Sequence, residues 1–212
     1  YQVVMLNVNE KKIVVATRNK GKFKEIRKDF DPFNLQVISQ EDLEVESTPE
    51  TGDSFMSNAL QKAIHLASYT EHPIISDDSG LVVDALNGEP GIYSARYAGD
   101  QSNDDDNIAL LLDRMIQKKN RNAYFHCSLI YLNPNEITNP ISIETQWHGT
   151  ICSEKLGDEG FGYDPIFFIP ELGKTSAELS MHDKNKFSHR GQAMKLLIER
   201  LTEDNLISYK ES

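Results

Sequence analysis

The chain has 212 residues, a formal net charge of −11, and is 39% hydrophobic and 26% charged. That is enough for one domain with a substantial core and an ordinary globular composition. The acidic balance argues against broad nucleic-acid binding, which needs a basic face, and any polyphosphate site has to be locally basic or metal-loaded. Cys127 and Cys152 are too few for a disulfide framework, so a reducing cytoplasm is the simpler setting. No apolar run approaches a membrane span, and Tyr1–Leu6 lacks the basic flank of a secretory signal. Residues 1–11 read as an N-terminal extension or remnant, and residues 12–205 as a single domain with no linker or repeat inside it.

In chain order, Lys12-Ile13-Val14-Val15-Ala16 reads as a short buried strand. The turn Thr17-Arg18-Asn19-Lys20-Gly21-Lys22 leads to a helix opening over Phe23–Phe30, with Phe23, Ile26 and Phe30 on one face. Between Lys11 and Lys24 there are Lys11, Lys12, Arg18, Lys20, Lys22 and Lys24 and no acid, a local exception to the acidic whole. Free amides and a helix dipole at such a turn favour an anion, while a solvated basic turn is the plainer reading. It is not a Walker A loop, because Ala16 and Phe23 stand where its first Gly and its Ser or Thr belong. Leu35–Ile38 is a second strand candidate, followed by the acidic stretch Glu41–Glu50. A helix over 54–69, capped by Asp53 or Thr51, carries Phe55, Ala59, Ala63 and Ala67 at four-residue spacing. Asn58 and Lys62 lie on it as ordinary polar positions, whereas Glu50 at its entrance is able to turn toward a metal.

The stretch from Ile74 to Gly99 organises the rest. Pro73-Ile74-Ile75 delivers Asp77 and Asp78 into an expected turn at Ser79-Gly80, after which the chain returns to apolar Leu81-Val82-Val83. Two adjacent carboxylates are unfavourable together unless a cation or proton is shared, and a hard divalent metal such as magnesium meets that need. An Asx-turn bonding only the backbone is the alternative. Asp104-Asp105-Asp106 precede a helix near 107–118 and read as dipole-complementing caps rather than ligands. Residues 122–132, apolar on both faces, predict a central strand, and the clean alternation over 141–148 predicts its antiparallel partner. His126 reads as a packed residue, with no His-Glu-x-x-His or Cys-x-x-Cys anywhere to suggest a ligand. Gly157 to Pro165 is glycine-dense, so backbone can come close to a ligand while Phe161 and Tyr163 offer flat faces to a base. It leads into a strand at Ile166–Ile169. Ser188 then caps a helix with Ala193, Leu196, Leu197 and Leu201 on its apolar side, placing His189 and Arg190 at its start.

Four of these segments, in this order, resemble the inosine triphosphate pyrophosphatase family, and the resemblance runs from about Lys12 to Leu201. They are Ala16–Lys22, Asp77-Asp78-Ser79-Gly80 with Pro90–Tyr97, Gly160–Pro165, and Ser188-His189-Arg190-Gly191. The resemblance implies an α/β fold, a long mixed central sheet flanked by helices, with two lobes, a cleft between them and assembly as a homodimer. It implies magnesium-dependent hydrolysis of ITP, dITP or XTP to the monophosphate and pyrophosphate. Thr17, Arg18, Asn19, Lys20, Gly21 and Lys22 then match the triphosphate loop. Asp78 matches the catalytic carboxylate and metal ligand, Asp77 and Glu50 its metal partners, and Ser79 a substrate contact. Phe161, Gly162, Tyr163, Asp164, Lys184, His189 and Arg190 match the surround of the nucleotide and base. No covalent intermediate is implied by the residues, so direct water attack is the simpler chemistry. A donor such as Arg190 or a backbone N–H would favour a 6-oxo purine over adenine. Phe55-Met56-Ser57-Asn58-Ala59 stands where many relatives have Phe-Glu-Glu-Asn-Ala, and Pro49-Glu50 where some have an acidic pair. The missing helix carboxylates raise an alternative, a non-catalytic nucleotide-binding sensor on the same fold.

Overall fold

The computed structural model describes residues 11–210; the expected extension therefore lies outside the described residues, except for Lys11. Seven strands form one mixed sheet in the order β2-β1-β3-β4-β5-β6-β7. They are β1 (Lys11–Val15), β2 (Leu35–Ser39), β3 (Ile74–Val83), β4 (Asn122–Leu132), β5 (Ile141–Ile151), β6 (Phe167–Ile169) and β7 (Lys174–Thr175). β1 runs parallel to β2 and β3, and every later pairing is antiparallel. The antiparallel hairpin of β4 and β5 follows the expected strands, β5 running on to Ile151.

The β1 alternation decides where the first helices go. Ile13 and Val15 face one apolar cluster, built with Ile26 of α1 (Lys20–Asp29) and Phe30 at its C-cap. Val14 and Ala16 face another, built with Ala59, Ala63 and Leu66 of α2 (Phe55–Ala67). The crossover from β1 to β2 thus lies on one face and that from β2 to β3 on the other. In an open α/β sheet such a reversal leaves a crevice at the carboxyl end of the strand between them, here at Ala16 and Thr17. A third cluster joins α3 (Asp104–Met115) to Leu81, Phe125, Trp147, Tyr163 and Phe167. α5 (His189–Glu203) packs over β4 and β5, with α4 (Met181–Phe187) against it.

Several local expectations change. Asp77 to Gly80 are not a turn: β3 is continuous, registered with β4 from Ile74↔Leu132 to Val83↔Ala123. Asp-Asp-Ser-Gly has turn chemistry, but a full ladder against a central strand overrides local preference. Gly80 is bare for packing, since a Cβ there would lie 2.4 Å from Ser94 Oγ and 2.5 Å from the Gly91 carbonyl oxygen. α1 begins at Lys20, with Asn19 Oδ1 accepting from the Lys22 amide, so Lys20, Gly21 and Lys22 belong to its first turn. Ser54, rather than Asp53 or Thr51, caps α2. α3 starts earlier than expected, at Asp104, behind a reciprocal Asn103–Asp106 capping box, so the acidic cluster caps its helix as read. Leu196 is exposed and Met194 takes the core position, while α4, which carries Lys184, has no counterpart in the sequence reading.

Candidate active site

A cleft of about 460 Å³ opens at that crevice, lined from the α1 N-terminus by Thr17, Asn19 and Lys22 and from β3 by Asp78, Ser79 and Gly80. Its far wall holds Phe161, Lys184 and His189, and its near wall Glu50 and Lys62. The two aspartates divide between the sheet faces, because successive strand residues point oppositely.

Asp78 faces α2. Its Oδ2 accepts from Asn58 Nδ2 at 3.1 Å, and its Oδ1 lies 3.3 Å from Lys62 Nζ, which also donates to Glu50 Oε1 at 2.8 Å. Burial pushes the Asp78 carboxyl above the ordinary aspartate range, against the pull of Lys62 and Lys22. Glu50 moves the other way, since the pull of Lys62, with help from Lys22 and Arg96, exceeds its burial penalty. Lys62 is held charged: burial opposes the ammonium, but Asp78, Glu50 and Asp77 together outweigh that.

Asp77 faces α1 and α5, beneath the cleft floor. Its Oδ2 lies 3.1 Å from Lys22 Nζ and accepts from Arg190 Nε at 3.3 Å and from Ser79 Oγ at 3.0 Å. Burial alone would raise its carboxyl, but Lys22, Arg190 and Lys62 hold it well below the usual range. Asp77 Oδ1 is buried with no hydrogen-bond partner.

At the other end of the cleft a second charge network carries the residues that the resemblance matched to the surround of the base. Glu25 of α1 accepts from Lys184 Nζ at 2.9 Å and also from Arg190 Nη1, while Lys184 Nζ donates to Asp164 Oδ2 at 2.6 Å. Asp164 takes up the Phe161 amide at 2.9 Å and Ser176 Oγ at 2.8 Å. Lys184 Nζ sits 4.6 Å from the Phe161 ring centroid. Tyr163 is buried in the α3 cluster, its hydroxyl donating to the Ser94 carbonyl at 2.9 Å. Gly162 donates its amide to Asp104 Oδ2 at 2.7 Å. His189 stacks on Phe125 with centroids 4.9 Å apart, and its Nδ1 is a second buried atom without a partner. Burial, reinforced by Arg190 and Lys184, pushes the imidazole well below its usual value, so it is neutral.

Residues 13–200 match the model of the Ham1 family. The chain belongs to the Ham1 family. Over 192 residues it is 49% identical to a dITP/XTP pyrophosphatase of Yersinia pseudotuberculosis and 48% identical to one of Escherichia coli K12, in each case covering 90% of this chain and 98% of the relative. The solved structure of a HAM1 protein from Coxiella burnetii superposes with a TM-score of 0.84 at 38% identity, covering 91% of this chain and 99% of that one. The Staphylococcus aureus Ham1 protein gives 0.82 at 40% identity, covering 92% and 100%. The family and the α/β fold read from the four motifs are borne out.

Within this Ham1 fold the residues singled out from sequence gather around one cleft, with different tasks for some of them. Glu50 and Asp78 share Lys62, but Asp77 is not with them, being on the opposite face. Arg18 pairs with Glu46 at 3.0 Å on the rim, and Lys20 is exposed. Arg190 donates to Asp77, Glu25 and Ser79, so most of its N–H groups are committed and the expected contact with a 6-oxo group is not theirs to make. Sequence reasoning passed over Asn58 and Lys62 as a solvated helix face and missed Glu25. The packing places them: α2 lies against β3, burying Asn58 beside Ala59, and Glu25 is buried beside Ile26 on α1. Met56 and Ser57, where the resemblance led carboxylates to be expected, do not line the cleft.

Among the described residues no three His, Cys, Asp or Glu side chains converge as a ready-made metal cage. Glu50 and Asp78 nevertheless suit a hard cation, because their carboxylate oxygens meet at one ammonium and open on the cleft. Two protein carboxylates plus substrate phosphates and water is the usual environment for magnesium, which seldom uses an all-protein cage.

Proposed function

We propose that this chain is a nucleoside-triphosphate pyrophosphatase that hydrolyses the non-standard purine nucleotides ITP, dITP and XTP to the monophosphate and pyrophosphate. The names of the Yersinia and Escherichia relatives support the reaction and substrate class. The observation that carries the reading is the Glu50–Lys62–Asp78 bridge, which opens on the same cleft as the α1 N-terminus and Lys22.

In this reading the triphosphate lies between the two. The amides at the start of α1 and the Lys22 ammonium bind its tail, offsetting the acidic net charge locally. Asp78, ionised but raised by burial, orients the attacking water and takes its proton. Lys62 presents positive charge where the α-phosphate becomes more negative. Asp78 and Glu50 would hold Mg2+, which when bound neutralises the polyphosphate and polarises the attacked phosphorus. Asp77 anchors Lys22 and Arg190. Phe161 offers its face to the purine, with Lys184 over the ring and neutral His189 in the wall beside it.

Residues 12–205 form the catalytic domain in this proposal, working as a cytoplasmic homodimer. Among the described residues no helix is long and apolar enough to cross a membrane. A non-catalytic sensor is less well supported, because the two helix carboxylates whose absence suggested it fall at Met56 and Ser57, outside the cleft. A panel of ITP, dITP, XTP, ATP and GTP, scored for pyrophosphate and monophosphate with and without magnesium, tests the reading. Magnesium-dependent pyrophosphate release from the first three is expected; binding without turnover would favour the sensor.

A further inference from the structure

Gly21 sits in the phosphate loop, where a glycine is ordinarily explained by close approach of backbone to phosphate. Here its bare Cα has another neighbour. A Cβ built on Gly21 would lie 2.6 Å from Phe161 Cδ1 and 2.8 Å from Phe161 Cε1, and 3.1 Å from Asn19 Oδ1. Real side chains do not tolerate separations of the first two kinds, so the Phe161 ring rests where any other residue at position 21 would put its Cβ.

That ring is located from three further directions. The Phe161 amide donates to Asp164 Oδ2 at 2.9 Å, Lys184 Nζ lies 4.6 Å from the ring centroid, and Arg190 Cζ lies 5.8 Å from it. Asp164 and Lys184 are themselves joined at 2.6 Å. A methyl at position 21 has to move the ring away from α1, and with it the alignment of the ring against Lys184. The glycine backbone φ is not in the left-handed region, so conformational freedom does not explain the residue. Alanine at this second position of α1 is compatible with the helix and favours it over glycine.

We propose that Gly21 is a specificity-determining residue: by lacking a side chain it seats Phe161, so a position in the phosphate loop sets how the base is chosen. The inference rests on reading the cleft as a nucleoside triphosphate site, but it separates two parts of the ligand. The phosphate tail meets the start of α1 around Asn19 and Lys22, whose backbone a methyl at position 21 leaves in place. The base meets Phe161, which a methyl displaces.

Binding rather than turnover tests this. Dissociation constants of α,β-imido analogues of ITP and ATP, and of inorganic tripolyphosphate, are measured by calorimetry with magnesium for the wild type, Gly21→Ala, Phe161→Ala and the double variant. Gly21→Ala is expected to reduce the inosine-over-adenosine preference by about tenfold, on the scale of lost pocket contacts, and to change tripolyphosphate affinity less than about twofold. In the Phe161→Ala background the same alanine is expected to have no further effect, the signature of two residues acting through one contact. Gly21→Ala with Phe161→Leu, a smaller side chain at the contact, is expected to recover part of the preference. An equal loss for tripolyphosphate, or an undiminished effect without the ring, would instead assign the effect to the Asn19 cap and overturn the proposal. So would an unchanged preference in Gly21→Ala. If Gly21→Ala alone fails to fold, the two double variants decide, because relief of the clash has to restore folding. Wild type that binds tripolyphosphate but shows no base preference would sink the nucleotide reading itself, a result distinct from all of these.

Discussion

Asp77 and Asp78 are consecutive residues of one strand whose carboxylates lie on opposite faces of the sheet, Asp77 Oδ2 at 3.1 Å from Lys22 Nζ and Asp78 Oδ1 at 3.3 Å from Lys62 Nζ. One is a sealed anchor with its charge matched by Lys22 and Arg190; the other opens on the cleft. Their substitutions should therefore fail in different ways. Asp78→Asn is expected to lower kcat by on the order of a thousandfold or more while nucleotide binding and melting temperature change little. Asp77→Asn leaves buried Arg190 and partly buried Lys22 short of a partner, at a cost of about 3–5 kcal/mol, and lowers the melting temperature by roughly 10 °C. Steady-state kinetics beside thermal melts separates the two, and a single shared phenotype would count against the division of faces.

Lys62 holds charge between Glu50 and Asp78. Its removal takes away a favourable interaction with the ionised form of Asp78, so that carboxyl must titrate at higher pH than in the wild type. For Lys62→Ala the acidic limb of the pH profile of kcat/KM should move upward, together with a fall in kcat at its plateau. A plateau loss with an unmoved limb would show that Lys62 and Asp78 are not coupled in the working enzyme.

Lys22 is engaged with a fully buried carboxylate as well as lining the cleft, so Lys22→Ala should raise KM for the triphosphate by about ten- to a hundredfold and also destabilise the fold. The double variant with Asp77→Asn should lose less melting temperature than the two single variants summed, because both act through one ion pair, yet keep the raised KM. A KM back at the wild-type value would deny the lysine a role of its own toward phosphate.

Asp29 ends α1, where the helix dipole disfavours an anion, and burial pushes its carboxyl up to about 6, only partly offset by the hydrogen bond from Asn185. A carboxyl raised on folding binds its proton more tightly in the folded state than in the unfolded one. Its favourable contribution is complete below the unfolded value of 3.8 and is lost as pH rises through about 6. Asp29→Asn should accordingly be more stable than wild type by roughly 1–3 kcal/mol at pH 7.5 and close to it near pH 4. Urea titrations at the two pH values check this, and equal differences at both would exclude Asp29 as the source.

Because Glu50 and Asp78 converge on Lys62 rather than forming a three-ligand cage, magnesium should matter for turnover and little for folding. Chelation is expected to abolish pyrophosphate release, reversibly, and to shift the melting temperature of the nucleotide-free protein by no more than about 1 °C. A large stabilisation by magnesium alone would point to a site made entirely by protein.

Much of this was legible along the chain. The alternation over Ile141–His148 and the apolar run over Asn122–Leu132 specify strands because a period of two, or its loss on double burial, is a local property. The Ser188 cap and the basic turn before α1 are local as well, since a cap needs only its own helix start. Turn chemistry at Asp77–Gly80 was equally legible and gave the wrong element, because the ladder with β4 that straightens it comes from residues 123–132, far along the sequence.

By itself, then, the amino-acid order determined the strand periods, the caps, the basic patch in an acidic chain and the four motifs of the family. Tertiary structure alone decided which charges meet: Lys62 with Asp78 and Glu50, Glu25 with Lys184 and Arg190, and Phe161 over Gly21. The physical reason is range. Periodicity and capping are set within a few residues, whereas an ion pair or a ring seated on a bare Cα depends on the distance between segments that the sheet and its crossovers bring together.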